Sequence, residues 1–322
     1  PVAINTSPLD PYQNIKLSAV NRTAWEQYYF DSVSADGSAG IAINFIRDAS
    51  LASLARGVLR VRVDAVWPNG TKWTTNIFVN ESCVTTCALA TTGLWATAWQ
   101  GIAFQFNISQ NLTTASLSLT GPNVQGTWDI RSLTPPRTPD GSIYPSPHAD
   151  VQFAPLLYWN EAIPLGKVTA DLVIAGTSLT FTGYGGHDRN WAPFNWDSIA
   201  KSWYWLRGIA GPYSFVFWSF TSAVDNTTYT SAFVSENGTE IFATRNSQAS
   251  DTAAYATLAL SYGGKVHGTF ADTSTGMTIN MVEAGGGTHW RFSAQHTNIA
   301  FETEHGTYAA YSRFVDGISG GL

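Results

Sequence analysis

From one end to the other, this chain alternates apolar and polar residues in short runs broken by turn-forming residues. A two-residue period of that kind belongs to half-buried strands. Residues 58–66, 74–79, 102–106 and 115–119 each carry it, and Pro68-Asn69-Gly70, the 107–111 stretch and Gly121-Pro122-Asn123 separate them as turns. The texture resumes at 203–207 and 213–220. It continues through 229–234, 256–262, 265–271, 277–283, 289–294 and 308–314. Strands this short and this regularly spaced predict an all-β fold of antiparallel barrels or sandwiches. Asn195–Trp203 is the best short helical candidate.

A length of 322 residues suits two domains of about 150 residues each. Pro135, Pro136, Pro139, Pro145, Pro147 and Pro155 crowd one stretch, and no strand runs through such a density. The connection is therefore placed at 135–155, between an N-terminal β domain at 1–134 and a C-terminal β domain at 156–322. Charged residues make up only 12% of the chain and aromatics 13%. The 13 Trp far exceed the roughly 4 of ordinary usage, which predicts an aromatic cavity; the competing reading is that Trp fills the β cores.

A net charge of −6 leaves no basic stripe for nucleic acid, and no apolar run is long enough to span a membrane as a helix. The chain opens on Pro1 with neither Met nor an apolar signal region and is expected to follow a removed leader. Asn5, Asn21, Asn69, Asn80, Asn107, Asn111, Asn226 and Asn237 each open an Asn-x-Ser/Thr triplet without Pro, about twice the number chance would give. N-linked glycans and a secretory or extracellular location follow as expectations. Cys83 and Cys87, the only cysteines, are expected to close a small disulfide loop in that oxidising setting. A lone pair at this spacing does not make a zinc site, and no metal is expected.

The densest chemistry lies at Gly183-Tyr184-Gly185-Gly186-His187-Asp188-Arg189-Asn190-Trp191. It follows an alternating segment, 171–181, that reads as a hairpin turning near Gly176. The polar cluster is expected to begin where that strand ends, because neighbours on an extended strand face opposite ways and need a turn to converge. His187 titrates near neutrality, Asp188 can fix its tautomer, Arg189 offers donors to a developing oxyanion, and Asn190 donates and accepts. The competing reading is a structural polar knot, with Asp188 paired to Arg189 or Arg207 and Asn190 bonded to the backbone. Farther on, Trp203, Trp205 and Arg207 share one face of a strand and suit a planar, oxygen-bearing ligand. Tyr158, Trp159, Trp191 and Trp218 are candidates for an aromatic wall, and Glu26 for an acid from the first domain. Serine-hydrolase elbows, HExxH, Walker and dinucleotide fingerprints are absent from the sequence.

Gly-x-Gly-His-Asp-Arg-Asn-Trp, preceded by Tyr158-Trp159, Pro164 and Gly166-Lys167-Val168, resembles the signature of proteins built from two lipocalin-like domains. That group includes carotenoid hydratases of the hydroxyneurosporene synthase type and the fungal Diels-Alderases. The likeness is sharp over roughly residues 155–220 and rests elsewhere on length and β texture. Gly186 and Ala192-Pro193 depart from the usual pattern. Among these proteins the sequon-rich chain most resembles the fungal hetero-Diels-Alderases that join a tropolone quinone methide to humulene. The resemblance implies two lipocalin-like (calycin) barrels with a pocket at their interface, and a cofactor-independent pericyclase acting on hydrophobic small molecules. Its catalytic candidates are His187, Asp188, Arg189 and Arg207, with precursor dehydration as an added step. The alternatives are a polyene hydratase or isomerase, and a secreted small-molecule binder.

Overall fold

The computed structural model describes residues 2–21, 23–49, 57–270, 272–305 and 309–322. Among these, twelve strands form one antiparallel sheet: β1 (Trp25–Ser34), β2 (Gly40–Asp48), β3 (Leu59–Val66), β4 (Lys72–Phe78), β5 (Glu81–Thr86), β6 (Ala90–Thr97), β7 (Ile102–Ser109), β8 (Thr114–Thr120), β9 (Val124–Ser132), β10 (Gln152–Ala154), β11 (Leu157–Ile174) and β12 (Thr177–Ala192). A single helical turn, α1 (Trp196–Ile199), leads into two four-stranded sheets. These are β13 (Ala200–Ala210), β14 (Tyr213–Ser222), β15 (Thr228–Glu236) and β16 (Thr239–Thr244), then β17 (Tyr255–Ser261), β18 (Gly276–Val282), β19 (His289–His305) and β20 (Ala309–Gly321).

The large sheet curls until β6 reaches β2, where the Trp95 indole donates to the Ile46 carbonyl at 3.2 Å. Its concave side is filled by Phe30, Phe45, Trp95, Phe104, Phe106 and Trp128, each worth about 1.5–3 kcal/mol of burial. A second core, around Phe215, Ile279, Met281 and Phe292, lies between the two small sheets. A third joins large sheet to small, with Phe153 and Trp159 against Trp218 and Phe220. Most of the Trp excess is spent on burial: Trp25, Trp67, Trp95, Trp128, Trp159, Trp191, Trp218 and Trp290 are all buried.

Several expectations change. Beyond the 135–155 stretch, β11 and β12 are hydrogen-bonded into the sheet built by the first 132 residues, β11 on β9 and β12 on β1. The hairpin does turn at Ala175-Gly176, both with positive φ (49° and 78°), as a two-residue turn that suits strand twist requires. β12 then runs straight through the polar motif instead of ending before it. The helix predicted over 195–203 is only the four residues of α1, since Trp203 and its neighbours pair with β14. No strand forms over the described part of 265–271, where Phe270 is exposed and Val266 only half-buried, so the run has no face to bury; Ala271 and Tyr308 lie outside the described residues.

Cys83 and Cys87 are exposed free thiols, which corrects the disulfide. Cys83 sits in extended β5, and four residues of strand span about 13 Å, beyond the reach of a disulfide. Seven of the sequon asparagines are exposed and Asn5 is half-buried. Among the described residues, no helix is long and apolar enough to cross a membrane.

Candidate functional site

Because β12 is extended, its polar side chains separate by parity. His187 and Arg189 face the concave core. The His187 ring stacks on Phe30 with centroids 4.0 Å apart, its Nδ1–H donates to the Tyr29 carbonyl at 2.9 Å, and Nε2 lies 3.0 Å from the Gln13 side-chain amide. Burial drives its pKa down to about 3, so it stays neutral. Arg189 donates to Glu26 Oε2 at 2.8 Å and to the carbonyl oxygens of Tyr12 (2.9 Å) and Asn14, with its guanidinium 3.7 Å from the Tyr28 ring centroid. Glu26 also accepts from the Lys16 backbone N–H and pairs with Arg47. These groups fasten residues 12–16 onto the large sheet.

Asp188 faces the other way. Trp159 Nε1 donates to its Oδ2 at 2.8 Å, and Arg207 Nη2 lies 3.3 Å from Oδ1. The same guanidinium reaches Asp31 at 3.2 Å and Glu161 at 3.6 Å, and donates to the Ile163 and Pro164 carbonyl oxygens. Two buried carboxylates, Glu161 and Asp188, and the half-buried Asp31 thus share one cation. Burial, opposed by Arg207, pushes Asp188 up to about 7 and raises Asp31 and, more strongly, Glu161. Burial alone would lower Arg207, but Asp31, Glu161 and Asp188 outweigh it and hold the cation protonated. Asp188 paired with Arg207 is one of the two pairings that the structural reading of the motif foresaw.

Beside this cluster opens a cavity of about 810 Å³ between the large sheet and the two small ones. Of the candidates read from the sequence, Trp203, Trp205 and Arg207 line it. His187, Asp188, Arg189, Asn190, Trp191, Tyr158, Trp159, Trp218 and Glu26 do not. Tyr158 stacks on Trp191, Trp218 stacks on Phe153, and Asn190 accepts from Gln27 at 2.6 Å. The wall holds residues that sequence reasoning passed over: Asp31, Tyr29, edge-on to Trp205 with centroids 5.8 Å apart, and Tyr311, which tilts over Trp203 at 5.5 Å. Arg313 lines it as well, 5.2 Å from the Tyr29 ring centroid, donating to Asp64 at 2.7 Å and to the Tyr311 hydroxyl at 2.9 Å. Tyr311-x-Arg313 repeats the aromatic-x-arginine spacing of Trp205-x-Arg207, and that repetition was the available signal. Among the described residues, no group of three His, Cys, Asp or Glu is placed to hold a metal ion.

The arrangement offers an aromatic cavity with an arginine–tyrosine donor pair, Arg313 and Tyr311, and with Asp188 and Glu161 held on Arg207 at its wall. The family model described as Diels-Alderase-like matches residues 1–322. Diels-Alderase ffsF of Aspergillus flavipes is 35% identical over all of this chain and 78% of its own length. Diels-Alderase phmD of Phaeosphaeria nodorum is 33% identical over all of this chain and 89% of its own. In fold, the chain is similar to the crystal structure of CghA with Sch210972, with a TM-score of 0.81 at 23% identity, covering 99% of this chain and 91% of that one. It is more distantly similar to kievitone hydratase from Nectria haematococca, with a TM-score of 0.54 at 11% identity, covering 100% and 95%. The chain belongs to the Diels-Alderase-like family, and it is an enzyme, a cyclase of that family.

Proposed function

We propose that the protein closes a six-membered ring by [4+2] cycloaddition inside the 810 Å³ cavity, without a cofactor. The observation that carries this reading is one wall on which Tyr29, Trp203 and Trp205 flank the Arg313–Tyr311 donor pair. A cycloaddition moves no electron or proton to the protein, so catalysis rests on holding two π systems in near-attack geometry, an effect with an upper range of about 7–11 kcal/mol. The Tyr311 hydroxyl accepts from Arg313, which leaves its own proton to donate to a substrate carbonyl oxygen. That bond draws electron density from the π system and lowers its acceptor orbital. Arg207 is spoken for by three carboxylates and two carbonyls, so it braces the wall and the cavity-side donation falls to Arg313 and Tyr311.

The narrower form of this reading is a hetero-Diels-Alder closure in which a quinone methide adds to a terpene alkene such as humulene. The lipocalin-like organisation is then two β units meeting at the cavity, and strand pairing supports a division after Ala192. Exposure of seven sequon asparagines supports N-glycosylation on a secretory route.

Tyr311→Phe is expected to lower kcat by about 10- to 100-fold, within what one transition-state donor contributes, with KM changed less than threefold. Steady-state rates on an oxygen-bearing diene check this. An unchanged kcat removes Tyr311 from the mechanism.

A further inference from the structure

His296 on β19 and Asp316 on β20 are direct cross-strand partners, so their side chains share a face. The register slips by one residue immediately afterwards, at Thr297, and a bulge of that kind re-aims the side chains beside it. His296 Nδ1–H donates to Asp316 Oδ1 at 2.6 Å, which leaves Nε2 to accept from the Ser274 hydroxyl, 3.5 Å away. Phe314 stacks on the imidazole with centroids 3.7 Å apart, and the His296 backbone N–H donates to the Thr275 carbonyl at 3.0 Å. The ring is fixed from its edges and from one face.

Hydroxyl, imidazole and carboxylate stand in the order of an acyl-transfer triad, but their access is reversed. Ser274 and the His296 side chain are fully buried. Asp316 keeps 9% of its side chain exposed and lines the cavity, together with Asp272, Thr273 and Phe314. A substrate in the cavity therefore meets the carboxylate and not the hydroxyl, so Ser274 is no nucleophile. Trp203 lies against Tyr311, and a Cβ at Gly208 would stand 3.2 Å from Ile318 Cγ1, so β13 follows β20 in the same direction. Trp205 and Asp316 both fall between those two contacts, on neighbouring strands of one cavity.

We infer that Asp316, backed by His296, is a general base and acid for keto–enol exchange, acting in this cavity on a planar conjugated ketone stacked against Trp205. His296 occupies Oδ1 and leaves Oδ2 for the substrate. Oδ2 takes the proton from the carbon beside the carbonyl, the C–H pair forms the C=C bond, and the carbonyl π pair moves to oxygen. The same carboxyl group then returns the proton to that oxygen, so no atom or electron is gained or lost. A ketone suits such a group because the carbon that gives the proton and the oxygen that receives it sit on one carbonyl carbon, within reach of a single carboxyl oxygen. His296 acts through Asp316 as a positioning residue. This activity lies beyond the ring closure, and the enol of a conjugated ketone is itself an oxygen-bearing diene, the class of reactant that such a closure consumes.

α-Tetralone, a planar aryl ketone, serves as the probe. Its deuterium uptake at the carbon beside the carbonyl is followed by mass spectrometry in D2O with buffer alone, the full parent chain, Asp316→Asn and His296→Gln. The parent is expected to exchange it about 100-fold faster than buffer, the low end of what a positioned base contributes, and Asp316→Asn to fall to the buffer rate. His296→Gln keeps a donor for Asp316 and is expected to lower kcat about tenfold while KM changes by less than about twofold. If Asp316→Asn does not fold, Asp316→Ser is read in its place. A parent rate within about threefold of buffer, a folded Asp316 variant within about threefold of the parent, or an unchanged kcat in His296→Gln overturns the inference. Exchange by a chain that forms no cycloadduct upholds it and counts against the ring closure. Cycloadduct without exchange does the opposite.

Discussion

His187 and Asp188 are adjacent, both buried, and respond to burial with opposite protonation. Burial lowers His187 from 6.5 to about 3, and burial opposed by Arg207 raises Asp188 from 3.8 to about 7. Between about pH 4 and 7, folded Asp188 keeps a proton that the unfolded chain has released, so its contribution to stability falls as pH rises. Between about pH 3 and 6.5, folded His187 lacks a proton that the unfolded chain binds, so its contribution rises with pH. The two effects oppose each other over about pH 4 to 6.5. Asp188→Asn, which keeps an acceptor for Trp159, is expected to gain stability relative to the parent as pH rises from 5 to 6.5. His187→Gln is expected to lose it. Either slope differs from the parent's by up to about 1.4 kcal/mol per pH unit. Urea unfolding at both pH values checks this, and parallel profiles in both variants would contradict the protonation states assigned here.

At the scale of the element, β12 shows how much of the site was legible. Its hairpin was readable because Gly176 and the flanking alternation are local signals. Its faces were not: every residue from Gly185 to Ala192 is buried, since the strand lies between the concave core and the core shared with the small sheets, and such a strand carries no alternation in polarity to read. Gly183, Gly185 and Gly186 stand where the sequence leads us to expect a turn, yet none has positive φ. They admit close neighbours instead. A Cβ at Gly183 or Gly185 would overlap the carbonyl oxygens of Val33 and Asp31, and one at Gly186 would overlap the Arg207 guanidinium and sit 2.6 Å from the Ile163 carbonyl oxygen. Gly186→Ala therefore displaces Arg207 and leaves buried carboxylates without their cation. The expected loss is about 3–5 kcal/mol of stability, read from the shift in urea midpoint. A variant within 0.5 kcal/mol of the parent would show that Arg207 does not hold this cluster together.

Across the whole molecule, the all-β class followed from period and turns, while the cavity followed from neither. Three Trp line it, Trp196, Trp203 and Trp205, and the cores absorb most of the rest. Tyr29, Tyr311 and Arg313 come from β1 and β20, nearly 300 residues apart in sequence, and only the packing of three sheets brings them together. In the proposed function this assembled wall controls a cycloaddition. The most direct test is to resolve the stereoisomers formed from a quinone methide and humulene with no protein, with the parent, and with Trp205→Ala. The expected result is one dominant isomer formed faster than background by the parent, with Trp205→Ala slower by about tenfold or more and partly scrambled toward the background mixture. The same isomer ratio and rate in all three would contradict it.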